Sequence, residues 1–220
     1  SISKDSYGDI EIFTKWDGEG KVPPQDKDGC YQISTISDLY GIERATDKKC
    51  VKLLNDIVVN QDMENMILDG LYTGDPNPQR SWDGIKGFNG VFDGQGHKIS
   101  GLYNKVFFSE VNKGDTLTIK NLGIVNSAFK NAPVFVEQNN GVLNITHSYS
   151  TAISNGFVGT NSGEVYISDS YNTGVIRSGA SMIGTNYKKA IIDNVYNSGS
   201  VQNGAGIISS NLGTAIISNS

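Results

Sequence analysis

Two stretches decide the fold: Val165-Tyr-Ile-Ser-Asp-Ser-Tyr-Asn-Thr-Gly174 and Ala190-Ile-Ile-Asp-Asn-Val-Tyr-Asn-Ser-Gly199. Superimposed, they place Ile167 on Ile192 and Tyr171 on Tyr196, as two copies of one unit would. Working outward, related cores occur at HKISGLYN (97–104), LTIKNLGIVN (117–126), LNITHSYSTA (143–152) and AIISNS (215–220). The anchor isoleucines are then Ile99, Ile119, Ile145, Ile167, Ile192 and Ile217, separated by 20, 26, 22, 25 and 25 residues. Asn139, Asn161, Asn186 and Asn211 each stand six residues before an anchor, and Tyr149, Tyr171 and Tyr196 each stand four after one. Features that hold register while the total spacing drifts mark a repeat whose length varies only in its turns.

A period of 20–26 residues fits a leucine-rich repeat or a parallel β-helix. The L-x-x-L-x-L skeleton of the former is missing. Val165 and Ile167 alternate with Tyr166 and Ser168, the two-residue period of strands with one buried face. The expected fold is therefore all-β: a right-handed parallel β-helix of ~20–26-residue coils. Its isoleucines would form an interior column. Asn139, Asn161, Asn186 and Asn211 would form an amide ladder in turns, where Asn tolerates left-handed backbone. The coils are expected over 51–220, clearest from Phe92 onward, and to continue beyond residue 220, because an open last coil exposes an unpaired edge.

Charge follows the same division. The 220 residues carry 18 Lys+Arg and 23 Asp+Glu, a net charge of −5 and a pI near 5.0, which disfavours nucleic acid as a partner. Only seven charged residues fall between Asn131 and Ser220, yet Ile, Val and Tyr recur there, unlike a disordered polar tail. No apolar run approaches the ~18 residues of a membrane-spanning helix, and none reads as a signal peptide. Residues 1–50 are expected to cap the solenoid. Ile10, Ile12 and the Phe13–Trp16 neighbourhood suggest an extended segment. Ser34 to Ala45 reads as a short helix capped by Thr35 or Ser37, with Leu39, Tyr40 and Ile42 inward. Cys50-Val-Lys-Leu-Leu-Asn-Asp-Ile-Val-Val59 looks like the first coil strand. Cys30 and Cys50 flank the helix. As a disulfide they would close a loop worth roughly 3 kcal/mol; the alternative is two buried thiols.

Phe88-Asn-Gly-Val-Phe-Asp-Gly-Gln-Gly-His-Lys-Ile-Ser-Gly-Leu-Tyr103 resembles the opening motif F-x-G-x-F-D-G-x-G-H-x-I-x-x-L of bacterial GLUG-repeat β-helix proteins. Asn121-Leu-Gly and Ser170-Tyr-Asn-Thr-Gly174 are similar to that family's recurring elements, as are Gly29-Cys-Tyr-Gln-Ile33, Leu39-Tyr-Gly41 and Asn55-Asp-Ile-Val-Val59 to its preceding segment. The family's G-L-F-G and V-G-G-L-V-G elements are replaced here by Val106-Phe-Phe-Ser109 and Val134-Phe-Val-Glu137, so those two coils are expected to be bulkier; Gly156-Phe-Val-Gly159 and Met182-Ile-Gly184 partly restore the pattern. The resemblance implies a secreted or surface-displayed bacterial β-helix, adhesin-like or an accessory region of a surface peptidase, in which the repeat carries no established catalysis.

Candidate sites are sparse. Asp93-Gly-Gln-Gly-His97 reads as a tight turn rather than a catalytic pair. His147 falls two residues after its anchor and His97 two before, so they do not share a column, and zinc needs at least three protein ligands. Asp26-Lys-Asp28-Gly29 and Asp17-Gly-Glu19-Gly20 echo calcium loops without the full ligand sequence, so turns are expected, with loop-bound calcium as the alternative. Glu164, Asp169 and Asp193 lie at different offsets, which argues against the paired carboxylates of a polysaccharide lyase or glycosidase. Two sets remain as ligand-binding candidates. Tyr149, Tyr171 and Tyr196 form a ladder that either contacts sugar rings or a partner, or stacks at an interior or corner position. The polar excursion at 69–86 carries Tyr72, Arg80, Trp82 and Asp83, with a plug in the cap as the alternative for Trp82. The reading that leads is a non-catalytic extracellular binding module for a polysaccharide or a cell-surface protein, with other domains on the same longer chain. A lyase-type enzyme and a plain spacer are the competing readings.

Overall fold

The computed structural model describes residues 19–61, 63 and 81–220, together with the backbone strands Ile2–Lys4 and Ile10–Ile12, which pair antiparallel. The rest is a parallel β-solenoid. A long sheet stacks Tyr31–Ile33, Cys50–Leu53, Gly90–Asp93, Thr116–Lys120, Val142–Thr146, Glu164–Asn172, Lys189–Asn197 and Thr214–Ser218 in parallel register. It bends at a corner into shorter strands such as Lys98–Ser100, Gly123–Val125 and Tyr149–Ser150. Five parallel strands, Phe108–Val111, Val136–Asn139, Val158–Asn161, Ile183–Asn186 and Ile208–Asn211, close the opposite side.

The interior column is continuous. Val51, Phe92, Ile119, Ile145, Ile167 and Ile192 occupy one register, all 1% exposed or less. One anchor in the sequence alignment is misplaced. Ile99 pairs with Ile124 and Ile57 on the neighbouring strand, and Phe92 is the residue opposite Ile119. The Asp93–His97 turn separates these two strands, so the 20-residue spacing is a coil short by its corner step, the full coil running from Phe92 to Ile119.

The corner itself follows from two columns of small polar residues. Asn121, His147, Asp169, Asn194 and Asn219, each two after its anchor, hold φ of 45–55° (53°, 48°, 49°, 52° and 50°). Asn, Asp and His tolerate the left-handed region better than other side chains, because their short polar groups bond locally. At the next position Ser148 Oγ donates to the Thr146 carbonyl and accepts the Leu122 N–H, and Ser170 Oγ donates to the Ser168 carbonyl and accepts the Ser148 N–H. The left-handed residues are thus not the asparagines at −6: no positive φ occurs at Asn139, Asn161, Asn186 or Asn211.

At the N-terminal end, Thr35 caps the helix Ile36–Gly41 in a reciprocal box with Asp38, and a 3-10 turn Ile42–Arg44 follows. Leu39 and Ile42 are fully buried over the first rungs. The chain crosses from Tyr31–Ile33 to Cys50–Leu53 through that helix, and a Cys30–Cys50 disulfide joins the two rungs with a Cα–Cα distance of 4.6 Å. Phe88, Phe92, Phe107 and Phe108 form an edge-to-face cluster in the coils above, so the bulk at Val106-Phe-Phe-Ser109 is absorbed as core.

Candidate functional site

The tyrosine ladder lies on the outside of the long sheet, just past the corner. Tyr149, Tyr171 and Tyr196 share one register. Their rings stack nearly parallel, with centroids 5.0 and 4.9 Å apart and planes within 9° and 3°. That spacing is the rung spacing of the sheet, so the backbone sets the stack. The next residues inward, Ser150 and Asn172, point into the core, which fixes the tyrosines outward by simple alternation. Gly123 precedes Tyr149 in the column, and a Cβ there would sit 2.4 Å from Tyr149 Cζ. The glycine therefore lets the first ring lie flat on the strand below. Ring edges of Tyr149 and Tyr171 are half-exposed, and Tyr196 is 53% exposed. Desolvation between its neighbours, reinforced by the hydroxyls of Tyr149 and Tyr196, pushes the Tyr171 phenol above its ordinary value.

The amide ladder forms on the other corner. Asn139 Nδ2 donates to Asn161 Oδ1 (2.7 Å), Asn161 to Asn186 (2.8 Å) and Asn186 to Asn211 (2.7 Å). The first three are fully buried, so this ladder holds coils together and offers nothing to a ligand. A second pair, Asn172 Nδ2 to Asn197 Oδ1 at 2.8 Å, forms at another shared offset, five residues after the anchors, that the −6 asparagines do not reveal.

The excursion residues divide. Tyr72 and Arg80 lie outside the described residues. Trp82 is 3% exposed; its ring stacks on Phe107 at 5.3 Å and meets Tyr40 edge-on at 5.1 Å, while Nε1 donates to the Val106 carbonyl. Of its two readings, the buried position is that of the plug, out of reach of a surface ligand. Asp83 is exposed beside Lys105 at 3.7 Å.

The titratable candidates serve turns. Asp93 Oδ1 accepts the Gln95 N–H and the Asn121 amide, and His97 Nδ1 lies 3.3 Å from Asp56. Asp26 accepts N–H groups of Asp28 and Cys30 and the Lys52 ammonium. Thr146 Oγ1 sits 2.9 Å from His147 Nδ1, and His147 Nε2 3.7 Å from Asp169, but both His147 and Asp169 are well exposed corner residues. Solvent at such a pair screens the charge that catalysis would need to focus. Among the described residues no three His, Cys, Asp or Glu side chains converge as a metal site, and no helix is long and apolar enough to cross a membrane.

A solved structure shares this fold. It is the crystal structure of a "putative immunoglobulin A1 protease" from Bacteroides ovatus, with a TM-score of 0.56 and 16% sequence identity over 88% of this chain. The match spans 65% of that protein's length. At this identity the likeness is one of fold. No family model matches the chain, and no curated protein does.

Proposed function

We propose that this chain is a non-catalytic extracellular binding module, a stiff β-solenoid whose outward tyrosine ladder contacts carbohydrate. The observation that carries the reading is the flat stack of Tyr149, Tyr171 and Tyr196 on an outer face. The stack covers the ring faces and presents a row of edges and hydroxyls, which suit the polar rims of sugar rings. Charge is sparse in these coils, with seven charged residues between Asn131 and Ser220, of which Glu164, Asp169, Lys189 and Asp193 share strands with Tyr171 and Tyr196. An extracellular setting is supported by the disulfide. The resemblance to GLUG-repeat surface proteins points the same way and rests on the 88–103 motif.

Glycan-array binding and cell-wall pull-down test the proposal. Wild type is expected to be retained, with Tyr171→Ala and Tyr196→Ala weakening retention about tenfold or more. Retention that is absent, or identical in both variants, would remove the ladder from consideration and leave the spacer reading.

A further inference from the structure

The flank between the short strands and the five-stranded sheet carries a different chemistry. Residues 126–135, 151–157, 173–182 and 198–207 contain only two charged side chains, Lys130 and Arg177, both cationic in a chain of net charge −5. They are brought to one place. Lys130 follows the strand Ala128–Phe129, Ala128 bridges Ile153 on the next coil, and Ser154 bridges Ile176 on the one after. Lys130 and Arg177 therefore stand two rungs apart, roughly 10 Å. Between them opens a shallow cleft lined, among the described residues, by Tyr103, Phe129, Ile153, Lys130 and Arg177 and by no carboxylate. Tyr103 is half-exposed and offers a ring at one end, while Phe129 and Ile153 form an apolar floor.

Arg177 supplies an independent sign of a missing partner. Its Nε is buried and has no hydrogen-bond partner among the described residues. A buried donor left unmatched is destabilising until an acceptor reaches it. A guanidinium presents Nε and a terminal nitrogen as a planar fork that fits two carboxylate oxygens side by side. The apolar floor and the flanking ring suit the apolar face of a ring carrying that carboxylate.

We propose that this cleft binds a carboxylate-bearing sugar, with Arg177 gripping the carboxylate, Lys130 neutralising it at longer range and Tyr103 packing against the ring. The proposal shares the sugar class of ligand with the preceding reading but not its site.

The test follows the Arg177 Nε–H resonance in the intact chain during titration with glucuronate, glucose and acetate. Glucuronate is expected to shift it saturably, with glucose causing no shift and acetate binding about tenfold more weakly or worse. Arg177→Lys, which keeps the charge and loses the fork, is expected to weaken glucuronate binding about tenfold, read from neighbouring backbone amides; Tyr171→Ala is expected to leave it unchanged. Absence of a saturable glucuronate shift overturns the proposal. So does an equal response to acetate, which would make this an anion site only, or unchanged binding in Arg177→Lys. Should that variant fail to fold, the three wild-type titrations decide alone. Loss of ladder binding with the cleft intact would sink only the earlier reading, and the reverse result only this one.

Discussion

Asp26 ties three parts of the cap together through one carboxylate. Oδ1 accepts two backbone N–H groups of its own turn, and Oδ2 reaches Lys52 on the second rung at 3.0 Å, beside the disulfide. The hydrogen bond from Lys52, followed by that from the Cys30 N–H, holds the Asp26 carboxyl below its ordinary value. A lowered folded-state value means the unfolded chain binds the proton first as pH falls. The contribution is therefore present above the ordinary carboxylate range and lost as pH drops through it towards the folded value. Thermal unfolding from about pH 7 to pH 3 should show this. Wild type is expected to lose stability more steeply than Asp26→Asn across the lower part of that range, and equal slopes would contradict the role. The short Asp-Lys-Asp-Gly run showed a turn by local chemistry, but Lys52 was invisible because it lies 26 residues away. Trp82 makes the same point: its partners Tyr40 and Phe107 come from other coils, so its burial could not be read locally.

At the scale of the element, the amide ladder is the clearest case of repetition turned into energy. Asn161 Nδ2 serves Asn186 Oδ1 and the Lys189 carbonyl, while its Oδ1 accepts from Asn139 and from the Gly163 N–H. Asn161→Ala would leave several buried groups unmatched, at a cost of about 2 kcal/mol or more, whereas Asn211→Ala on the exposed last rung should cost less than about 1 kcal/mol. Urea unfolding with an unchanged m-value checks both, and equal losses at the two positions would refute a buried ladder. The −6 offset made this ladder legible, since stacked coils place equal offsets side by side. The left-handed corner was legible only as a kind of residue. Asn121, Asn194 and Asn219 stand there, but His147 and Asp169 interrupt them, so no single letter runs the length of the +2 column in an alignment of identities. The Ile99 error has a related cause: strands on either side of a corner share the same apolar alternation, and only the length of the intervening turn tells them apart.

The whole molecule is a stack in which each coil touches only its neighbours, so stability should vary along its axis. The Cys30–Cys50 bond and the helix close one end, while Leu212, Ile216 and Ile217 on the last coil are 69%, 55% and 47% exposed. Native-state hydrogen exchange is expected to show amide protection falling from Val142–Thr146 towards Thr214–Ser218. Reducing the disulfide should lower stability by roughly 3 kcal/mol and loosen Tyr31–Ile33 and Cys50–Leu53 before the central coils. Uniform loss of protection along the axis would show a single cooperative unit instead. The stacked phenols carry one more consequence. Because backbone hydrogen bonding fixes their 4.9–5.0 Å interval, they form a ruled scale with interchangeable graduations. A polymer laid along it can shift by one graduation and meet the same surroundings, so a longer chain gains by the number of equivalent placements as well as by added contacts.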